Sequence, residues 1–313
     1  MVGVTDGQTC GQSDRAGRRA WRRCAVAIGA ILLVTWAPVV ASGQADQGAV
    51  AAASASWAVR AGYELHRDRF RYEFGNPSTF DTPFLVPHTF AQTYVADNHW
   101  LVLSARYRVG GEHLESEFAL TPHVTASASD IDTFLNPGSD VVTSGTSGDA
   151  RMRAWRLAHW SHGRLWGIPL RIGYRYRRDL ADFLPADIIV THSQPPSVSR
   201  RFTTDREQTL SQVHEIPIDA SHLTALSSTW GLVVGASASP LIYARLTTRL
   251  PDKYPEPIVA DARAFGIEAR VELRRLGRGW PVAFGLGRGK SWSYQTSRQF
   301  GRDALQMSVR LGD

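Results

Sequence analysis

From residue 57 onward, apolar and polar side chains alternate in long runs, and this period of two is what most limits the folds open to the chain. Successive strand side chains point to opposite faces, so alternation marks a strand whose two faces meet different surroundings. Trp57, Val59, Ala61, Tyr63 and Leu65 share one face of the first run, against Arg60, Glu64 and His66. Leu101, Leu103, Ala105, Tyr107 and Val109 alternate with Ser104, Arg106 and Arg108. Ile168, Leu170, Ile172, Tyr174 and Tyr176 alternate with Arg171, Arg175 and Arg177. Phe265 to Leu273 alternates with Glu268, Arg270, Glu272 and Arg274, and Leu305 to Leu311 with Gln306, Ser308 and Arg310.

A soluble sandwich also alternates, so strand length and punctuation decide. The runs commonly reach about ten residues, where soluble strands average about five or six and membrane strands need about 9–11. Gly110-Gly111, His162-Gly163-Arg164, Ser239-Pro240 and Gly277-Arg278-Gly279 read as short turns; 67–97, 126–148, 181–206 and 251–260 read as long loops. Trp57, Trp100, Trp160, Trp166, Trp230, Trp280 and Trp292 stand toward strand ends, where an interfacial girdle belongs. Strands are expected near 55–66, 98–109, 113–125, 149–160, 167–178, 222–238, 241–250, 261–275, 280–293 and 302–312, with 207–221 open between strand and loop. Within 149–160, Arg151 and Arg153 share a face with Trp155 and Leu157, which a bulge would reconcile.

The pattern resembles bacterial outer-membrane β-barrels in general, across nearly the whole chain after its first 54 residues. The resemblance implies an all-β, antiparallel, up-and-down transmembrane barrel of about ten strands, within bounds of eight and twelve. It implies outer-membrane lipid and lipopolysaccharide as surroundings and the barrel-assembly machinery as a partner. One departure is the end of the chain, Leu311-Gly312-Asp313, where such proteins often carry a terminal aromatic residue.

The N-terminus fits export. Arg15, Arg18, Arg19, Arg22 and Arg23 precede an apolar run from Cys24 to Trp36, then Pro38 and Val39-Val40-Ala41-Ser42-Gly43. Basic residues, a short apolar run and small residues describe a cleaved signal peptide over 1–43, with cleavage after Ala41 or after Gly43. A short disordered lead over 44–54 and the barrel over 55–313 would follow. An uncleaved anchor would need about 20 apolar residues, and Pro38 interrupts this run. Both cysteines, Cys10 and Cys24, lie in that segment, so the remainder has no thiol for a disulfide, a nucleophile or a metal. The formal charge of +6 falls to +3 without it, spread along the chain and unlike the basic face of a nucleic-acid binder.

If apolar side chains face lipid, the lumen receives Arg60, Arg106, Arg108, Arg171, Arg175, Arg177, Arg270, Arg274 and Arg310 with Glu64, Glu115, Glu117, Glu268 and Glu272. A ten-stranded barrel is narrow, and these groups are expected to pair into a network that plugs it. A narrow channel with an arginine excess would instead favour anions.

No catalytic set is committed. Omptin proteases are similar in strand number and use an aspartate pair with an Asp-His pair at the outer rim. Asp130 and Asp132 with Asp97 and His99 could supply those groups, in the opposite chain order; a His polarised by Asp could activate water. His159 and Ser161 have the two-residue spacing of the His-Ser pair of outer-membrane phospholipases and lipid A deacylases. His192, His214 and His222 lack ligand spacing, so no metal and no cofactor are expected. The glycines of Gly285-Leu286-Gly287-Arg288-Gly289 sit in a strand pattern, where they relieve crowding inside a barrel. The reading is a structural or interaction barrel displaying 67–97, 126–148 and 181–206, whose Phe70, Tyr72, Phe74, Phe80, Phe84 and Phe90 could pack together or bind a partner. Oligomeric state stays open.

Overall fold

A computed structural model describes residues 57–75, 89–109, 112–135, 140–165, 168–183, 187–202, 206–249, 256–277, 281–295 and 298–312. The expected leader and lead segment, together with Phe80, Phe84, Trp166 and Trp280, lie outside them. The strands are β1 (Trp57–Gly75), β2 (Thr89–Val109), β3 (Glu112–Leu135), β4 (Val141–Leu165), β5 (Ile168–Phe183), β6 (Asp187–Ser193), β7 (Pro196–Phe202), β8 (Glu207–Ala225), β9 (Trp230–Arg249), β10 (Ile258–Arg275), β11 (Val282–Ser293) and β12 (Arg298–Leu311). All pairings between them are antiparallel. β1 pairs with β2 and β12, and β3 with β4, so ten strands close on themselves and leave no edge. The β6–β7 hairpin stands outside the ring, paired to β4 over Val142–Ser147.

The ten-strand count agrees with expectation, but extents differ: the stretch 222–238, expected as one strand, is broken by the turn between Ala225 of β8 and Trp230 of β9, and His162-Gly163-Arg164, expected as a turn, lies inside β4. Residues 207–221 form most of β8. Ser239-Pro240 is no turn: β9 runs through it. Proline cannot donate to the ladder and is tolerated at a bulge, and the registers of β8 with β9 and of β9 with β10 both shift there. The Tyr294 hydroxyl donates to the Pro240 carbonyl.

Three of the expected long loops, 67–97, 126–148 and 181–206, are largely strand. β1 continues to Gly75 and β2 begins at Thr89, and β3, β4 and β5 likewise outrun the belt of outward apolar residues. Along β1 the outward face changes from Trp57, Val59, Tyr63 and Leu65 to Arg67, Arg69 and Arg71, while the inward face changes from Arg60 and Glu64 to Phe70, Tyr72 and Phe74. The backbone keeps its period of two; only the assignment of apolar residues to faces inverts. The same inversion explains β4. Arg151 and Arg153 point outward above Trp155 and Leu157, in unbroken register with β5, so no bulge is needed. The irregularity lies on β3, between Thr121 and Val124.

Two residues assigned to an aromatic girdle turn inward: Trp100 and Trp160 are 0% and 5% exposed. Trp57 faces out, and Trp292 packs against Phe265, ring centres 5.2 Å apart.

Candidate functional site

The interior of the ring is the part of the protein richest in chemistry, and it is layered. At the end of the long connections it is apolar. Phe70, Tyr72 and Phe74 of β1, Phe90 and Tyr94 of β2, Phe183 of β5, Phe300 of β12 and Leu246 of β9 are all buried in one cluster. The Tyr72 ring lies 5.3 Å from Phe300, and Phe74 stacks on Phe90 at 6.4 Å. These aromatics do not form a displayed surface: they fill the barrel mouth. Burying each side chain contributes about 1.5–3 kcal/mol. Tyr72 bonds Ser211, and Tyr94 donates to Thr209 at 2.9 Å; burial pushes both phenols above their ordinary range. Beside them, Thr209 and Thr248 both donate to the Gln92 carbonyl at 3.3 Å.

Below the aromatics lies a layer of ion pairs. Asp68 accepts from Arg177 at 3.0 Å, Arg302 at 2.9 Å and Asn98 at 2.9 Å. These partners hold its carboxyl well below the usual range despite complete burial. Arg177 also donates to Asp179 at 2.7 Å and places its guanidinium over Phe70 and Trp100. Glu64 accepts from Arg156 and Arg310, both at 2.9 Å, and pairs with His66 at 3.0 Å. Arg156 reaches Glu117 at 2.7 Å and lies 5.2 Å above the Trp100 ring. Asp219 binds Arg171 at 3.1 Å and Arg270 at 2.8 Å. Glu115 meets Arg106 at 3.3 Å and His162 at 3.2 Å, and Arg175 lies between Glu215 and Glu268 at 3.6 and 3.7 Å. A methyl at Gly235 would come within 3.1 Å of the Arg270 guanidinium, so the missing side chain there is the room this arginine occupies. Two gaps in the layer have volumes of about 60 and about 30 Å³, room for a water or two.

Of the fourteen residues expected in the lumen, twelve take part in these pairs, counting Arg274 on Glu272 at 2.6 Å. Among the described residues Arg60 and Arg108 make no ion pair. Asp68, Asp179, Asp219, Arg156 and Arg302 are outside the expected set, while His66, expected on the polar face of its strand, pairs with Glu64. Asp68 and Asp179 lie past the inversion of faces, Asp219 in the stretch left open, and Arg156 in the strand that read as irregular.

At the short-turn end the interior opens into a cavity of about 460 Å³, lined by Arg60, Arg274 and Arg310 together with Pro169, Leu223 and Val233.

The omptin-like set is not assembled. Asp97 and His99 are on the outer face, Asp97 within 3.9 Å of Arg67 and His99 bonded to the Tyr63 hydroxyl. Asp130 and Asp132, on the neighbouring strand, are completely buried on the inner face. His159 and Ser161 do share the outer face, but His159 bonds Ser116 at 3.0 Å. His192 bonds Asp140 at 3.0 Å and His214 bonds the Tyr174 hydroxyl at 2.6 Å. Among the described residues no group of three or more His, Asp or Glu is placed to hold a metal ion.

No protein-family model matches the chain, and no curated protein matches it in sequence. Solved structures do match. The outer membrane protease OmpT from Escherichia coli is 7% identical with a TM-score of 0.55, over 82% of this chain and 96% of that one. The translocator domain of the autotransporter NalP from Neisseria meningitidis is 11% identical with a TM-score of 0.31, over 96% and 97%. An outer membrane channel from Pseudomonas putida F1 is 11% identical with a TM-score of 0.33, over 82% and 95%. The chain folds as a bacterial outer-membrane β-barrel. At such identities the likeness is one of fold, and only the first score is high enough to support even that. The omptin-like architecture of this outer-membrane barrel therefore comes without the omptin arrangement of Asp97, His99, Asp130 and Asp132.

Proposed function

We propose that this is an exported outer-membrane protein of structural or interaction type, whose barrel is closed to solutes by its own side chains. The observation that carries the reading is the double filling of the lumen: a buried aromatic layer stands above a paired ionic layer. A conducting pore needs a continuous wet path; the larger cavity reaches Arg171, Asp219, Arg270 and Arg310 of the ionic layer, within which the gaps have volumes of only about 60 and about 30 Å³. The short-turn end, with both termini of the barrel, would face the periplasm, and the long connections and β6–β7 the outside.

In this reading residues 1–43 are removed on export, and the outward arginines Arg67, Arg69, Arg71, Arg151 and Arg153, just above the apolar belt, meet lipopolysaccharide phosphates. Asp140 secures the hairpin by accepting from the backbone N–H groups of Ser193 and Gln194, both at 3.0 Å. The display of β6–β7 beyond the ring is what suits the barrel to interaction.

Liposomes carrying the full barrel test the reading. They are expected to stay impermeable to chloride and to small sugars; leakage of either at the rate of a porin control would overturn it.

A further inference from the structure

We infer that the short-turn cavity is a blind binding site for a small organophosphate, entered and left from the same end. Its blind end and its orientation toward the periplasm rest on the function proposed above.

Among the described residues, the charges lining the cavity do not balance. Arg60, Arg164, Arg171, Arg270, Arg274 and Arg310 contribute to its wall, against the carboxylates Asp219 and Glu272. Asp219 is shared by Arg171 and Arg270, Glu272 is taken by Arg274, and Arg310 is turned to Glu64. Among the described residues Arg60 and Arg164 make no ion pair. Arg106, Arg274 and Arg310 are charged neighbours of Arg60, and so is Glu115, which is already engaged by Arg106 and His162.

The chain end lies close over the backbone of Arg60. Gly312, at φ +110°, carries the end of β12 so close over it that a Cβ there would lie 2.9 Å from the Arg60 Cα. A half-buried guanidinium held among like charges is a preorganised anion receptor, because the cost of gathering the cations is already met by the fold. The planar fork of arginine matches phosphate oxygens in pairs.

Size and lining narrow the ligand further. About 460 Å³ falls within the range of small-molecule sites and exceeds what a bare phosphate needs. Leu223 and Val233, paired across β8 and β9, give the lining an apolar stretch beside the arginines. A phosphate ester with a short carbon skeleton satisfies both sides. The ionic and aromatic layers above make this a place to bind, with no route onward.

Such a phosphate could be free in solution or belong to a phospholipid headgroup. The test is calorimetric titration of the full barrel in neutral detergent with glycerol 3-phosphate, repeated in nanodiscs of phosphatidylcholine and of phosphatidylglycerol. Saturable, salt-sensitive binding is expected, weakened about tenfold or more by Arg60→Gln and unchanged by Arg288→Gln, whose side chain is 73% exposed on the outer face. Competition by phosphatidylglycerol would assign the phosphate to lipid, and equal binding in both discs to a soluble ester. Arg60→Lys keeps charge but loses the fork; it should bind more weakly than wild type and serves if Arg60→Gln does not close. No saturable binding, or equal loss in Arg288→Gln, would overturn the site. The shift in gel mobility between boiled and unboiled samples reports barrel closure independently of binding.

Discussion

Arg156 of β4 donates to Glu64 of β1 across the barrel interior at 2.9 Å, joining residues 92 positions apart in the chain. Glu64 is 1% exposed and Arg156 9%, so each relies on the other and on Arg310 and Glu117 for solvation that water would otherwise give. Replacing one partner of a buried pair costs about 3–5 kcal/mol, because the other charge stays buried. Glu64→Gln and Arg156→Gln are each expected to lose stability on that scale, and the double variant far less than the sum. Urea unfolding in lipid vesicles, followed by band shift, gives the four corners of the cycle; additive losses would mean that the pair is not coupled.

The aromatic layer should behave as a core. Phe70→Ala and Phe300→Ala each remove a buried ring and are expected to cost about 3–5 kcal/mol. Arg69→Ala, one position away on the outer face, should stay within about 0.5 kcal/mol. The same unfolding measurement separates them. Equal effects would contradict the inversion of faces.

That inversion is also where the sequence was hardest to read. Within the belt the rule of apolar outside and polar inside identified Arg171, Arg175, Arg270 and Glu272 from alternation alone. Past Leu65 the solvent is water and the interior is packed, so Phe70, Tyr72 and Phe74 take the positions that Arg60 and Glu64 occupied lower down. A reader who expects apolar residues on one face throughout sees the pattern break and writes a loop. In β4 the change of face assignment between Arg153 and Trp155 looks like a bulge. Pro240 misled for a different reason: a proline within a strand pattern usually marks an end, and only the paired register shifts show it absorbed in a bulge. The omptin-like residues were legible as types, but which face each occupies depends on strand phase. Asp97 and Asp130 took opposite faces.

Asp68 lies just above the belt, and its carboxyl is held well below its ordinary range by Arg177 and Arg302 against the pull of burial. A depressed folded-state value means stability that is complete above the unfolded value of about 3.9 and lost as pH falls through the folded one. Asp68→Asn should therefore be markedly less stable than wild type at neutral pH. The gap should narrow only below about pH 4. A gap that closes between pH 7 and 5 would assign the effect to another group.

Asp140 anchors the β6–β7 hairpin, and the His192 hydrogen bond, with those from Gln194 and Ser193, brings its carboxyl down to about 2. The anchor is expected to hold through mildly acid conditions and to release only as pH falls toward that value. Asp140→Asn should weaken it at every pH above. Hydrogen exchange at the Ser193 and Gln194 amides reads this directly; fast exchange in wild type at pH 5 would refute the anchor.

The most direct test of the filled lumen is single-channel recording of the purified, refolded full barrel in a planar bilayer. The expected trace has no conductance steps, and it stays silent for Arg274→Ala, because the layers above the cavity are untouched. Stepwise anion-selective currents from wild-type protein would show a continuous path and contradict the account.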